Sequence, residues 1–271
     1  MGKSDLLRVQ DVRDAYQLIG DCRDLGSDPA RWHRRMFAGL RHLIGVPHAN
    51  GGEVWWQRPH HPLRPVAVFE SCGDQRFRDV LVAYRRANAS AADPIFSALQ
   101  YVRGQLVTRT RRQLVPDTKW YCSARYEYRL LTGCDHQLTS LYQVSSAGAV
   151  SVIGLHRAKG ERDFSPRELR LLNFFHDELG RLIGRSLVSA TEPSPDKLSP
   201  RLRQTLACLL EGDSEKQVAG RLELSQATTH QYVTALYRHF KVRSRAQLLA
   251  HIIKRMGRDG AWDRYRSGTG F

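Results

Sequence analysis

Apolar residues recur at intervals of three and four positions in four short stretches near the end of the chain, a spacing typical of amphipathic helices. In chain order the stretches carry Leu206, Leu209 and Leu210; Val218, Ala219 and Leu222; Val233, Leu236 and Phe240; and Leu248, Leu249, Ile252 and Ile253. Each set falls on one side of a helix. The pattern therefore predicts four helices that bury these faces against one another.

Residues that favour helix starts precede all four stretches. Ser199 stands before a proline, the arrangement for an N-cap and a first helical position. Ser214 and Ser244 each have a glutamine three residues later, the capping-box spacing, and Ser225 followed by a threonine is a weaker form of it. Gly212 stands where the first helix should end. These signals set the expected limits of the helices.

Only Glu223 and Leu224 separate the second predicted helix from the third. Two short helices joined by such a turn can lay the second one in a DNA major groove. Burial of the apolar positions leaves polar side chains on another face of the third helix, at His230, Gln231, Thr234 and Arg238. Such side chains hydrogen-bond base edges and phosphates. The same pattern also fits an ordinary four-helix packing unit with a solvated polar face.

Residues 196–256 resemble the LuxR-type helix-turn-helix domain, in register through all four helices. The matching positions are Leu198-Ser199-Pro200-Arg201, Glu211-Gly212, Lys216, Val218-Ala219, Leu222, Leu224-Ser225, Thr228, Val233, Val242-Arg243-Ser244-Arg245 and Leu248. The resemblance implies that the third helix, about Ser225 to Phe240, enters the major groove. It also implies that the fourth helix, from Ser244, helps pair two domains on a two-fold DNA site.

The register of this match and the polar face of the third helix together predict the DNA contacts. Base edges are expected to meet His230, Gln231 and Thr234, and phosphates to meet Lys216, Ser225, Thr228, Arg238 and Lys241. The family often has lysine or arginine at the positions of His230 and Thr234, and an acidic residue at that of Leu202. The operator sequence of the family therefore does not transfer to this chain.

The charge of the chain agrees with a polyanionic partner. The formal net charge is +15, and residues 196–271 hold 14 lysines and arginines against 7 acidic residues. Neutralised phosphates release condensed counterions, which makes such binding steeply salt-dependent. Most of the basic residues are arginine, so charge supports the motif without establishing the function alone.

Residues 188–197 contain two prolines and no apolar periodicity, which is typical of a linker. The sequence thus predicts a first domain over 1–187, a DNA-binding domain over 198–256 and a flexible tail over 257–271. It contains no run of eighteen apolar residues and no apolar signal region. The five scattered cysteines form neither a disulfide framework nor a zinc pattern. We therefore expect a cytoplasmic protein with reduced thiols.

The first 187 residues are expected to form an α+β domain, an antiparallel sheet with flanking helices. Helices are predicted at 12–23, 32–44, 77–89, 94–106 and 123–131, and from Ser165 through Leu182. Strands are predicted at 52–57, 65–71, 138–144 and 149–156, the last two as a hairpin. The long closing helix has a proline and a capping-box glutamate in its first turn.

Two family resemblances bear on this domain. The segment VIGLHRAKGERDFSPRELRLLNFFHDELGRLI resembles the closing strand and helix of GAF domains, which serve as small-molecule sensors or as dimerisation platforms. Tyr84 and Asp93-Pro94 have the spacing of a tyrosine and aspartate that hold acyl-homoserine lactone in autoinducer-binding domains. Val80 and Thr108 stand where tryptophans are expected there. The preferred interpretation is therefore structural, with Tyr84 on a helix surface and Asp93 as an N-cap.

Aromatic side chains around the predicted sheet are candidates to line a pocket for an unidentified small molecule, namely Trp55, Phe69, Tyr84, Trp120 and Tyr142. Aromatic residues also make ordinary cores. No catalytic motif occurs, and His60-His61 has no partner at metal-ligand spacing. The sequence therefore predicts a homodimeric DNA-binding transcription regulator without enzymatic activity, metal or cofactor. The alternative is a protein-interaction module whose helical domain docks on a protein partner.

Overall fold

A computed structural model describes residues 5–57, 63–86, 93–102, 104–146, 148–191 and 198–259, without the side chains of Arg85 and of residues 254–259. The chain forms two compact units, divided between Thr191 and Glu192. Most of the predicted linker and tail, and the His60-His61 pair, lie outside the described residues. None of the helices in the described ranges is long and apolar enough to cross a membrane.

The first unit is built on one antiparallel sheet in the strand order β2-β1-β5-β4-β3. The strands are β1 (His48–Trp55), β2 (Arg64–Cys72), β3 (Leu106–Thr110), β4 (Cys134–Gln143) and β5 (Ala149–Ala158). The predicted α+β class, the antiparallel sheet and the β4–β5 hairpin are confirmed.

Helices cover both faces of this sheet. They are α1 (Val9–Asp24), α2 (Pro29–Ile44), α3 (Gln75–Arg86), α4 (Pro94–Leu99), α5 (Arg111–Leu114), α6 (Asp117–Trp120), α7 (Ala124–Thr132) and α8 (Pro166–Gly180). Because side chains alternate along a strand, Ile153 and Leu155 of β5 pack with α1, α2 and α8, whereas Val150 and Val152 face the opposite core. The unit therefore has three layers with the sheet in the middle.

One predicted helix is wrong beyond its first turns. The helix expected over 94–106 ends at Leu99, and residues 106–110 form the edge strand β3 instead. Gly104 lies in the left-handed region at φ +125°, which separates the two elements. The β-branched residues Val107 and Thr108 favour extended backbone, and pairing of β3 with β4 satisfies its backbone groups. That pairing joins residues that are 28 to 36 positions apart in the sequence.

A buried polar network ties α8 to the sheet. The imidazole of His176 is fully buried and lies between two serines, with Nδ1 2.7 Å from Ser140 Oγ and Nε2 3.0 Å from Ser151 Oγ. Thr108 Oγ1 lies 2.8 Å from Ser140 Oγ and extends the network to β3. Burial lowers the pKa of His176 to about 3, so the ring is neutral at physiological pH.

Residues at the end of the first unit are also fixed to the sheet. Val188, Ser189 and Ala190, predicted as the start of a linker, are buried. The carboxylate of Glu53 on β1, itself fully buried, accepts hydrogen bonds from Ser189 Oγ and, at 2.8 Å, from the backbone N–H of Ala190. Trp32 Nε1 donates to the carbonyl of Val188 at 3.0 Å. The ordered part of the first unit therefore extends beyond residue 187.

The second unit contains the four predicted helices, α9 (Pro200–Leu210), α10 (Glu215–Arg221), α11 (Gln226–Phe240) and α12 (Arg245–Asp259). Their apolar faces form one core around Leu206, Val218, Leu236 and Leu248. Ile253 was predicted to lie on the buried face of the fourth helix, and this prediction is wrong. The residue is 61% exposed, because the buried face of α12 runs through Leu248 and Ile252.

The predicted caps are confirmed at all four helix starts. The hydroxyls of Ser199, Ser214 and Ser225 each accept a hydrogen bond from the backbone N–H three residues later. Ser244 Oγ likewise accepts from the N–H of Gln247 at 3.3 Å, while the Gln247 side chain accepts from the backbone N–H of Arg243, one residue before the cap.

Candidate nucleic-acid interface and ligand cavity

The turn between α10 and α11 places the two helices as a helix-turn-helix pair. Glu223 adopts a left-handed conformation at φ +54°, and the N–H of Leu224 donates to the carbonyl of Ala219 at 2.9 Å. This bond to a carbonyl five residues back is the Schellman helix ending. Ser225 then caps α11 by accepting from the N–H of Thr228 at 3.1 Å. The turn is therefore fixed by backbone hydrogen bonds and needs no glycine.

Helix α11 has one buried and one polar face. Thr229, Val233, Leu236 and Phe240 are buried. The three residues predicted to contact bases lie on the other side, where His230 and Gln231 are exposed and Thr234 is half-buried. The helix thus presents a row of hydrogen-bonding side chains that the core does not use.

An acidic residue borders this row. His230 Nδ1 lies 3.1 Å from Glu215 Oε2, on the first turn of α10. The imidazole is 71% exposed and the carboxylate 43%, so the contact is a surface interaction of small energy. Glu215 therefore fixes one orientation of His230 without removing it from the surface.

The residues predicted to contact phosphates fall into two groups. Lys216, Arg238 and Lys241 are exposed, on α10 and at the end of α11. Ser225 and Thr228 are both engaged in the α11 cap, and their hydroxyls lie 2.9 Å apart. They lie at the helix N-terminus, whose partial positive charge attracts phosphate.

Two further arginines of this unit are committed to structure. Arg221 Nη1 lies 2.6 Å from a carboxylate oxygen of each of Glu211 and Asp213. Arg245 Nη2 donates to the backbone carbonyl of Leu209 at 3.2 Å. Formal charge alone therefore overstates the positive surface available to DNA.

The first unit contains a cavity of about 430 Å³ between the sheet and helices α3, α4 and α7. A volume of this order suits a small organic molecule. Its apolar wall consists of Val54, Leu63, Pro65, Val68, Leu81, Phe96 and Val152. Its polar wall consists of Asn50, Tyr84, Arg125, Gln137, Thr139 and His156.

Of the five aromatic residues predicted to line a pocket, the structure places only Tyr84 in this wall. Phe69 stacks on the His33 ring, on the side of the sheet covered by α2. Trp120 is fully buried in the core, and its Nε1 donates to Asp135 Oδ1 at 3.1 Å. Tyr142 faces Gly180 at the end of α8. Trp55 also lies outside the cavity wall, because it alternates on β1 with Val54, which lines it.

Tyr84 is not the helix-surface aromatic that the sequence suggested, since only 5% of it is exposed. Its hydroxyl donates to Asp93 Oδ2 at 2.7 Å. The other carboxylate oxygen of Asp93 accepts from the N–H of Ile95 at 2.9 Å, the predicted N-cap. Burial raises the pKa of Tyr84 well above its usual range. The two residues are therefore partners of each other.

Arg125 completes this cluster. Its Nε lies 2.9 Å from Asp93 Oδ2, and its guanidinium stacks 4.0 Å from the centre of the Tyr84 ring. The Arg125 side chain is 10% exposed and lines the cavity. In the same polar wall, His156 Nε2 lies 2.5 Å from Asn50 Oδ1. Burial lowers the pKa of His156 well below its ordinary value, so this ring is neutral.

Residues 196–252 match the family model of the bacterial regulatory proteins of the luxR family. The second unit carries a LuxR-family helix-turn-helix domain. This domain supports a function in DNA-binding transcriptional regulation.

Beyond the LuxR-family domain, similarity to known proteins is distant. Crystallised SdiA of Escherichia coli has 12% sequence identity, with a TM-score of 0.41 over 86% of this chain and 92% of SdiA. The transcription factor CepR2 of Burkholderia cenocepacia, described as dependent on N-acylhomoserine lactone, has 16% identity and a TM-score of 0.42 over 64% of this chain and 96% of its own. No curated protein sequence matches the chain significantly.

Apart from Tyr84, the residues of the polar wall of the cavity were not predicted from the sequence. Gln137 and Thr139 alternate along β4 towards the cavity, and Arg125 and Arg129 are one turn apart on α7. Two arginines at this spacing share one helix face, a signal that was present in the sequence. Which face of α7 would be buried was not evident, because Leu130 and Leu131 are the exposed residues.

Proposed function

We propose that this protein is a sequence-specific transcription regulator that recognises DNA through α11 and binds a small molecule in the first unit. The observation that carries the DNA-binding part is the row His230, Gln231 and Thr234 on the polar face of α11 in a LuxR-family domain. These side chains are directed away from the core that buries the opposite face. They are thus available to base edges.

The chemistry of this row suits direct readout in the major groove. A glutamine can bond N6 and N7 of adenine in a bidentate manner, and threonine and histidine bond base edges singly. Lys216, Arg238 and Lys241 would neutralise phosphates on either side and set the register of the helix. Thr228 and Ser225 would add phosphate contacts at the start of α11.

The regulator is proposed to act as a homodimer on an inverted repeat, paired through α12. Ile253, which is 61% exposed on α12, is an apolar side chain that the same helix of a second copy would cover in this arrangement. A two-fold protein requires two half-sites about one helical turn apart. Replacing Ile253 with glutamate should shift the protein towards monomer in analytical ultracentrifugation.

The first unit is proposed to be the sensory domain, of the GAF-like kind that the sequence suggests. Its cavity of about 430 Å³ has an apolar wall and a separate polar wall, the arrangement that orients a small ligand. The final residues of the unit, held by Glu53 on β1, lie next in the chain to residues 192–197. Glu53 stands between the cavity-lining residues Gly52 and Val54. Occupancy of the cavity could thus alter DNA affinity through β1.

The decisive experiment is selection of binding sites from a random duplex pool with the full-length protein, compared with His230→Ala and Gln231→Ala. The variants should alter base preference at specific positions. Gln204→Ala, an exposed glutamine on α9, is the matched control and should leave the selected motif unchanged.

Failure to enrich any motif, with or without candidate ligands, would refute specific recognition. The protein-docking alternative would then account for the helical unit. An unchanged motif in both α11 variants would refute only the assigned readout residues.

A further inference from the structure

The polar wall of the cavity contains a guanidinium whose terminal nitrogens have no partner in the described residues. Arg125 forms an ion pair with Asp93 through Nε, without hydrogen-bond geometry, and its flat face lies over the Tyr84 ring; among the described residues this side chain has no other interaction. Nine-tenths of the side chain is buried, and it lines the cavity. Buried guanidinium groups normally have their donors satisfied. The terminal donors are therefore available to a cavity ligand.

The arrangement of α7 makes the burial of this arginine unusual. Arg129, one turn later, is fully enclosed and donates to Gln137 Oε1, whereas Leu130 and Leu131 on the same helix are about half exposed. An amphipathic helix normally buries its leucines and exposes its arginines. Helix α7 thus directs two cations inward at the expense of apolar burial.

The charges around this end of the cavity do not balance. Arg125 and Arg129 face one buried carboxylate, that of Asp93, and the neighbouring histidine His156 is neutral. Burial and the charge of Arg125 lower the pKa of Arg129 to about 9, which still leaves it protonated at neutral pH. Among the buried groups that the structure describes here, one positive charge therefore has no carboxylate of its own, and a buried charge without a partner is costly.

The carboxylate of Asp93, which contacts the cavity-lining residues Tyr84 and Arg125, does not serve as an acceptor for the ligand. Oδ2 of Asp93 accepts a hydrogen bond from Tyr84 Oη and forms an ion pair with Arg125, and Oδ1 accepts from the N–H of Ile95. A ligand head group would instead meet donors, the terminal nitrogens of Arg125. The same cavity is also lined by the apolar side chains of Val54, Leu63, Val68 and Phe96.

We propose that the cavity binds an amphiphilic monocarboxylate, its carboxylate on the terminal nitrogens of Arg125 and its hydrocarbon part against the apolar wall. Guanidinium and carboxylate form short, charge-assisted bonds that are often bidentate. The ligand charge also balances the second arginine. This inference rests on the proposed ligand-binding role of the first unit, and it specifies the head group that the site selects.

Calorimetric titration of the full-length protein with nonanoate and with the neutral alcohol nonanol tests the head group without any mutation. Nonanoate should bind at least about tenfold more tightly, since hydrogen bonds between charged partners correspond to about 10- to 100-fold in affinity. Equal or tighter binding of nonanol would overturn the proposal. Binding of neither probe would overturn it too, and would also remove support for a sensory cavity.

Variants locate the site. Arg125→Met should abolish the preference for nonanoate over nonanol, and Arg125→Lys, which keeps the charge, should retain most of it. Arg109→Met, at an exposed arginine on β3, is the matched control and should behave as wild type. A preference that survives Arg125→Met in a folded protein would place the carboxylate elsewhere and refute the assignment.

The proposed regulation of DNA binding can be tested separately from the binding of the carboxylate. DNA affinity measured with and without saturating nonanoate reports on gating, whereas the titration reports on binding. Tight, Arg125-dependent binding with unchanged DNA affinity would support the carboxylate site and contradict gating by this ligand. If nonanol binds more tightly than nonanoate and its binding changes DNA affinity, the result would support gating by the cavity and contradict the carboxylate site.

Discussion

The neutral histidine buried between Ser140 and Ser151 gives the first unit a stability that falls with acid. The pKa of His176 is about 3 in the folded chain because of burial, against 6.5 for an unperturbed histidine. Below pH 6.5 the unfolded chain therefore binds a proton that the folded chain excludes. The free energy of unfolding decreases from there until the pH reaches about 3, where the folded state also takes up the proton.

The size of the effect follows from the difference in pKa. Each pH unit below 6.5 costs about 1.4 kcal/mol per excluded proton, so His176 alone destabilises the folded state by about 2 kcal/mol at about pH 5 and by almost nothing at about pH 7.5. In the variant His176→Gln this pH-dependent part is absent. The other buried histidines contribute equally to both proteins, so their effect cancels in the difference.

Urea unfolding followed by tryptophan fluorescence measures this difference, because four of the five tryptophans belong to the first unit. His176→Gln should be less stable than wild type at pH 7.5, owing to a lost hydrogen bond, and should regain about 2 kcal/mol relative to wild type at about pH 5. His42→Gln, at an exposed residue, is the control. A wild-type-to-variant difference that is the same at both pH values would refute the assignment of a buried neutral ring.

Three further predictions concern other parts of the chain. Glu223→Gly should raise the free energy of unfolding of the second unit by about 1 kcal/mol, because glycine adopts φ +54° without steric cost. Thermal unfolding followed by circular dichroism measures this change, and a loss of stability would contradict the left-handed turn. Lys241→Gln should weaken binding of all duplexes evenly and reduce the slope of log affinity against log salt by about 0.9 or less; a change of base preference instead would contradict a phosphate contact. Glu53→Gln should destabilise the first unit by about 1–3 kcal/mol and speed amide exchange of Ala190, and unchanged exchange there would show that this bond does not hold the segment.

The helices of the second unit were largely predictable, because the residue at which each begins depends on side chains only a few positions away in the sequence. Ser199, Ser214 and Ser225 each bond a backbone N–H three residues away. Such bonds form within one turn, so the spacing of residue types determines them. Ser244 caps α12 in the same way, and the side chain of Gln247 accepts from the N–H of Arg243.

The cavity was not predictable in the same way, since it requires residues that are distant along the chain. Tyr84 and Asp93 were noted for their spacing, but their contact with Arg125 depends on how α3 and α7 lie over the sheet. Aromatic composition suggested a pocket lined by Trp120 and Tyr142, and packing assigned both to other positions.

The sequence by itself determined the four helices of the LuxR-family domain and the polar face of α11. It also determined the positions of the main strands. All of these follow from local periodicity and capping. Only the tertiary structure decided that residues 106–110 join the sheet, that Val188 to Ala190 are held by Glu53, and that α7 buries its arginines. Strand pairing, ion pairs across elements and the choice of buried face depend on energies of contacts between distant segments, which no local pattern encodes.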